Sequence, residues 1–236
     1  MKLFWHKTQN FGDAIAPIIL GHFCNEPVEF AGQHEKGKWV STGSIMYAVR
    51  DGDIVWGTGL IEPNIGTAVA PAKAKYLAVR GPLTKEQCGI EVETFGDPGM
   101  LLPRVYNPDV KKTHAIGYMP HYVDQKIVLK TMAFGGPVKF IDIRSDWKKV
   151  VEEMKSCEMI VTSSLHGIIC SDAYGIPVRW EKYSDNVIGG EFKFQDYLLG
   201  TGRERHKYGD KITPIKNLKE RQDALITALQ KHYGKK

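Results

Sequence analysis

The stretch MIVTSSLHGIICSDAYGIP at residues 159–177 changes character twice. An apolar run gives way to Ser163, Ser164, Leu165, His166 and Gly167, and small and apolar residues then continue to Gly175 and Pro177. This pattern reads as a buried parallel strand, a tight polar turn and a helix that stops at the glycine and proline. A unit of that kind belongs in an open α/β sheet, where the turn lies at the carboxyl end of a strand and ligands bind. The helix start offers free backbone N–H groups suited to an anion. His166 in the same turn can hold a phosphate or move a proton near neutral pH. Taken alone, S-L-H-G also fits a capped turn with a surface histidine.

The rest of the chain repeats the alternation of short apolar runs with helical patterns, the signature of βαβ units. Strands are expected at 2–6, 28–31, 39–42, 53–57, 76–79 and 92–95. A turn is expected at residues 10–13, followed by a helix through about Phe23 with Ile15, Ile18, Ile19 and Phe23 on one side, and another helix after Gly81. Residues 102–108 read as a linker. A second series follows, with strands at 115–119, 138–143 and 178–181 and helices at 124–134 and 146–156. The second of these helices turns Trp147, Val150, Val151 and Met154 inward, and a closing helix at 217–233 carries Leu218, Leu225 and Leu229. The expected fold is α/β, with two Rossmann-like halves, 1–105 and 106–236, and a ligand between them at the carboxyl ends of both sheets. A single continuous sheet is the alternative.

Composition narrows the function classes. Hydrophobic residues make up 42% of the 236 and charged residues 25%, the balance of a soluble globular protein. No apolar run approaches the roughly 20 residues that span a bilayer. The opening MKLFWHKTQNFGD lacks the apolar core and cleavage site of a secretory signal, so a cytoplasmic location is expected. The formal charge of +5 suits an acidic ligand, but no arginine-rich or aromatic-interleaved stripe points to nucleic acid. Lys231, Lys235 and Lys236 at the C-terminus would tolerate an anionic membrane surface, which allows peripheral association. The widely separated Cys24, Cys88, Cys157 and Cys170 read as reduced and structural, and no metal-ligand spacing occurs.

Candidate site residues cluster at the expected strand ends. Asn10 and Asp13 can cap a helix, and Gly12 between them permits close backbone approach. Facing a cleft, Asp13 could act as a base or hold an acceptor hydroxyl. Gly57, Thr58 and Gly59 begin like a dinucleotide fingerprint, but Leu60, Ile61, Glu62 and Pro63 follow, which excludes a nicotinamide or flavin site. A strand-end turn offering N–H groups remains at Thr58 and Gly59. Arg80 can clamp a carboxylate or phosphate bidentately, or pair with a protein carboxylate at the surface. Gly96, Asp97, Pro98 and Gly99 form a turn signature, with Asp97 organising the cleft wall. His121 is a second site histidine. No H-E-x-x-H, nucleophile elbow or P-loop is present.

Four motifs appear in order: N-x-G-D at 10–13, R-G-x-x-T at 80–84, G-D-P at 96–98, and x-L-H-G at 164–167 before a helix ending in G-x-P at 175–177. In this series, which runs from residue 10 to about 180, the chain resembles the polysaccharide pyruvyl transferase family. The resemblance implies a GT-B-like pair of domains, the first on the acceptor side and the second on the donor side. It implies transfer of the pyruvyl group of phosphoenolpyruvate to two hydroxyls of a sugar, forming a cyclic ketal and releasing phosphate, with no further cofactor. It associates Arg80 and the turn around His166 with the donor. Ser164 departs from the family's arginine, so the phosphate would lean on Ser163, Ser164, helix N–H groups, Arg179 or Lys182. His166 is then the general acid or phosphate ligand, joined in catalysis by Asp13 and His121. Asn10, Gly12, Thr58, Gly59, Arg80, Asp97, Ser163, Ser164, Leu165 and Gly167 are the expected substrate-binding residues. The expected partners are phosphoenolpyruvate and a sugar acceptor, free or lipid-linked. Two other functions fit the same plan. One is a nucleotide-sugar glycosyltransferase with Glu181 gripping the ribose, and the other a non-catalytic sugar- or anion-binding protein of a polysaccharide assembly system.

Overall fold

A computed structural model describes residues 1–63 and 73–233, so Lys235 and Lys236 lie outside the described residues. The strands β1 (Lys2–Phe4), β2 (Glu29–Phe30), β3 (Trp39–Val40), β4 (Ile54–Trp56) and β5 (Lys75–Ala78) form one sheet in the order β2-β1-β3-β4-β5. The strands β6 (His114–Met119), β7 (Val138–Phe140), β8 (Cys157–Thr162) and β9 (Val178–Trp180) form a second, in the order β7-β6-β8-β9. Every pairing is parallel; Leu3 lies opposite Phe30 and Trp39, and Ile160 opposite Gly117 and Val178. The molecule is thus α/β with two separate parallel sheets rather than one continuous sheet. Parallel strands are covered on both faces, which is why Leu3, Val40, Val55, Ile160 and Val161 are wholly buried. The expected strand at 92–95 shrinks to a single parallel bridge between Val79 and Phe95.

Strand order fixes where a ligand can go. In each sheet the winding reverses once, between β1 and β3 in the first and between β6 and β8 in the second. At such a switch point the connections leave in opposite directions and open a crevice beyond the strands' carboxyl ends.

Helix α1 (Phe11–Cys24) buries Phe11, Ile15, Ile19 and Leu20 and ends on Asn25 in the left-handed conformation. Ile18, expected inward, is exposed, because a helical turn places it off the stripe shared by Ile15 and Ile19. Helices α2 (Pro82–Cys88) and α3 (Gln125–Thr131) follow β5 and β6. In α4 (Trp147–Lys155) the Asp146 carboxylate accepts the N–H groups of Lys148 and Lys149, and Val150, Val151 and Met154 face the core. Helix α5 (Leu165–Ala173) leaves β8 as the sequence pattern indicates.

Two segments behave differently from their sequence reading. The start of the expected linker is a 3₁₀ helix, Pro98–Arg104, in which Met100, Leu101 and Leu102 are wholly buried. Helix α6 (Phe192–Gly200) has no expected counterpart. It buries Lys193, Gln195 and Asp196 along with Phe194, Tyr197 and Leu198, so no apolar stripe marks it in the sequence. The closing helix α7 (Leu218–Tyr233) returns to the first sheet: the Leu225 carbonyl accepts Trp56 Nε1–H at 3.0 Å, and Tyr233 stacks on Trp39. One apolar core accordingly runs from Leu3 and Trp56 through Met100 and Leu101 to Ile160 and Trp180. The four cysteines are free, and burial pushes the thiols of Cys24 and Cys88 up to about 11, in keeping with inert packing roles.

Candidate active site

The loops at both switch points meet around one cavity of about 310 Å³. Thr8, Asn10 and Asp13 come from the loop and helix after β1, and Gly43, Ser44 and Tyr47 from the segment after β3. His121 and Tyr122 follow β6, and Ser164, Leu165 and His166 follow β8. His6, Ile45, Ile61, Ile188 and Lys193 complete the wall.

His166 sits on the first turn of α5 with 9% of its surface exposed. Its Nε2 is buried without a hydrogen-bond partner and lies 3.9 Å from Asp97 Oδ2. That separation exceeds a hydrogen bond but leaves the carboxylate within Coulombic reach of the ring. Asp97 is wholly buried, accepting Gly43 N–H at 2.9 Å and Gly99 N–H at 2.8 Å. The ring lies against the backbone of Gly12, where a Cβ would fall 2.1 Å from Nδ1. The glycine of N-x-G-D, the aspartate of G-D-P and the histidine of x-L-H-G are therefore parts of one packing unit. Gly167 serves the unit from behind, since a Cβ there would meet Thr162 Oγ1 at 2.2 Å and push α5 off β8.

The remaining expected residues divide into three groups. Asp13 and Asn10 line the cavity, and Asp13 Oδ2 accepts from Thr8 Oγ1 at 2.6 Å and Asn10 Nδ2 at 2.9 Å. His121, Ser164 and Leu165 also line it. Burial, with the positive charge of Lys193 second, lowers the His121 pKa to about 4, so its ring is neutral near pH 7. Its Nδ1 faces the Val123 N–H at 3.4 Å, which assigns the ring proton to Nε2. Ser163 does not line this cavity; it ties the loops together by donating to Asp124 Oδ2 at 2.6 Å and accepting His121 N–H at 2.9 Å. Thr58 and Gly59 also stand behind the wall, where the Thr58 hydroxyl accepts Ile45 N–H and donates to the Gly43 carbonyl, and Gly59 N–H bonds the same carbonyl.

Arg80 departs furthest from its reading. It is wholly buried and does not line the cavity. Its Nε donates to Asp196 Oδ2 at 3.0 Å, Nη1 to Ser44 Oγ at 2.6 Å, and Nη2 to the Leu60 carbonyl. Thr84 of the same R-G-x-x-T segment bonds both Asp196 oxygens, through N–H at 2.9 Å and Oγ1 at 2.7 Å. This motif is the dock for α6. The cations suggested as substitutes at Ser164 are engaged elsewhere: Arg179 pairs with Glu181 at 3.3 Å and Lys182 with Asp185 at 2.5 Å. Ser163, Glu181 and Lys182 line an adjoining cavity of about 210 Å³.

Sequence reading missed Lys193. It has 6% of its surface exposed and lines the cavity from α6, and burial, helped by nearby Arg80, lowers its pKa to about 8. It also missed Ser44, held by Arg80, and Tyr47, whose hydroxyl lies 2.7 Å from His6 Nε2. Among the described residues, no group of three or more His, Cys, Asp or Glu side chains is placed to hold a metal ion. Nor is any described helix long and apolar enough to cross a membrane.

The structure thus places a histidine backed by a carboxylate in a crevice at paired switch points, where open α/β sheets bind ligands. The chain belongs to the polysaccharide pyruvyl transferase family, whose model matches residues 45–185. An uncharacterized protein, L143 of Acanthamoeba polyphaga mimivirus, is 33% identical over 189 residues, covering 74% of this chain and 64% of the relative. The succinoglycan biosynthesis protein ExoV of Rhizobium meliloti (strain 1021) is 26% identical over 156 residues, covering 63% of this chain and 48% of the relative. The chain thus matches under two thirds of the length of each.

Proposed function

We propose that this chain transfers the pyruvyl group of phosphoenolpyruvate to two hydroxyls of a polysaccharide or its lipid-linked precursor, at the cytoplasmic face of a membrane. The two sheets are read as halves of a GT-B-like pair, with the donor beside α5 and the acceptor toward α1. The observation that carries this reading is the convergence of Gly12 and Asp97, from two motifs far apart in sequence, on His166 of a third, which itself lines the cavity.

Protonated His166 gives its proton to the donor's methylene carbon, and C2 becomes electrophilic. Asp97 supports the imidazolium while it exists, as a fixed carboxylate in a dry setting does best. A sugar hydroxyl bonds to C2 as Asp13 accepts its proton. The bond from C2 to the phosphate oxygen then breaks, phosphate leaves, and the second hydroxyl closes the ketal. Of the two hydroxyl protons, one restores His166 and the other departs with phosphate. Neutral His121 supplies an N–H to the donor without adding charge.

The test is incubation with phosphoenolpyruvate and a panel of hexosides bearing free neighbouring hydroxyls, read by phosphate release and by mass for the ketal. Wild type should form it, and His166→Ala should lose about 10²–10⁴ of the rate while remaining folded, the range for a proton-transfer group. Undiminished ketal formation by His166→Ala would overturn the assignment.

A further inference from the structure

Among the described residues, two lysines have almost no exposed surface, Lys38 and Lys193, and their surroundings differ. Lys38 Nζ meets Asp53 Oδ2 at 2.5 Å and the Glu35 carbonyl at 2.6 Å. Lys193 Nζ donates to the Ile188 carbonyl at 2.8 Å and lies 5.5 Å from the centre of the Phe194 ring. Among the described residues no carboxylate lies within ion-pair distance of it. A charge taken out of water without a partner is costly, and proteins normally pair it or neutralise it. Lys193 nevertheless lines the cavity that holds His166 and His121. Behind it stands Arg80, whose charge is already committed to Asp196 on the same helix. The titratable groups that line the same space are Asp13 on α1, held by Thr8 and Asn10, Tyr47 and Tyr122, and the histidines His6, His121 and His166.

We propose that Lys193 is the cation that meets the anionic group of the ligand in this cavity, delivered by α6 rather than by the strand-end turns. The missing ion-pair partner is then the ligand itself. Free of ligand, the lysine shares its proton with solvent near pH 8; an anion beside it holds the proton on. Helix α6 is anchored for this task by Asp196, three residues beyond Lys193, which Arg80 and Thr84 grip. The choice of phosphoenolpyruvate as probe rests on the proposed function, but the role of Lys193 as an anion partner does not.

The experiment is calorimetric titration of wild type, Lys193→Met, Lys193→Gln and Lys193→Arg with phosphoenolpyruvate, inorganic phosphate and pyrophosphate. Each is run at pH 8 in two buffers of different ionisation heat. Wild type should bind phosphoenolpyruvate with net proton uptake. Met and Gln variants should bind it about tenfold or more weakly, as expected for a lost charge-assisted bond, and Arg within a few fold of wild type. The share of proton uptake due to Lys193 should vanish in the Met and Gln variants, a change that a purely structural lysine would not produce. Melting and near-ultraviolet circular dichroism show that each variant is folded. Equal affinity and equal proton uptake in wild type and Lys193→Gln would overturn the proposal while leaving pyruvyl transfer standing. Lys193-dependent binding of phosphate or pyrophosphate, without binding of phosphoenolpyruvate, would uphold Lys193 and overturn the donor reading. No binding of any of the three anions by wild type would overturn the role of Lys193.

Discussion

At the scale of single residues, the site depends on a side chain that is absent. Gly12 opens α1, a position where alanine would ordinarily favour the helix by up to about 1 kcal/mol. Here a methyl would overlap the His166 ring at 2.1 Å, with Gly43 and Gly99 against its other edges. The imidazole has nowhere to retreat except into the cavity. Gly12→Ala should therefore cost about 10² or more in rate, close to the effect of removing His166, while the melting temperature changes by only a few degrees. Phosphate release beside a thermal melt reads both. Normal rate in Gly12→Ala would mean that the ring position is irrelevant to turnover. Which neighbour the glycine of the N-x-G-D turn makes room for is not legible locally, because that ring is at position 166.

At the scale of elements, α6 is held by a buried ion pair. Arg80 and Asp196 are both wholly buried, and the pair joins the end of β5 to α6. Removing one partner of such a pair leaves the other charged and unpaired, at about 3–5 kcal/mol. Arg80→Met should therefore lower the melting temperature by roughly 10 °C, given about 2–4 °C per kcal/mol for a chain of this size. Arg80→Met with Asp196→Leu should recover much of that loss. Full stability in the single variant, with impaired donor binding, would instead restore the clamp read from the sequence. That reading placed Arg80 correctly at a strand end. It failed on the side chain's direction, since α6, the element that consumes the guanidinium, carries buried charges in place of an apolar stripe and left no periodic trace.

For the whole molecule, the cavity ties function to acid stability. His121 has a folded pKa of about 4 against an ordinary value of 6.5, with burial the first cause and the charges of Lys193 and His166 behind it. Between these two values the unfolded chain binds a proton that the folded chain refuses, so stability falls as pH drops from 6.5 toward 4. Above 6.5 neither state is protonated there and the penalty is absent. His121→Gln should lose less melting temperature than wild type across that window and match its slope above it. Parallel slopes throughout would show that the histidine is not the group responsible. The same closeness of distant parts appears in α7, which leaves the second half of the chain to cover Trp56 and Trp39 of the first sheet. The boundary near residue 105 separates the strands of the two sheets but not the helices that pack on them.

The sequence by itself determined the elements and their polarity. Buried parallel strands require continuous apolar runs and helices require a stripe, both local patterns, so the strand–turn–helix unit at 157–173 and most of its counterparts were legible. It also placed His121, His166, Asp13 and Asp97 at strand ends or the turns beyond them. Tertiary structure alone decided strand order, and with it the pair of switch points that turns four separate loops into one cavity. It decided too that Arg80 would be spent on Asp196 and that Lys193 would stay unpaired. The reason is that burial and pairing depend on neighbours more than a hundred residues apart along the chain for Arg80 and Asp196, contacts with no local pattern from which to read them.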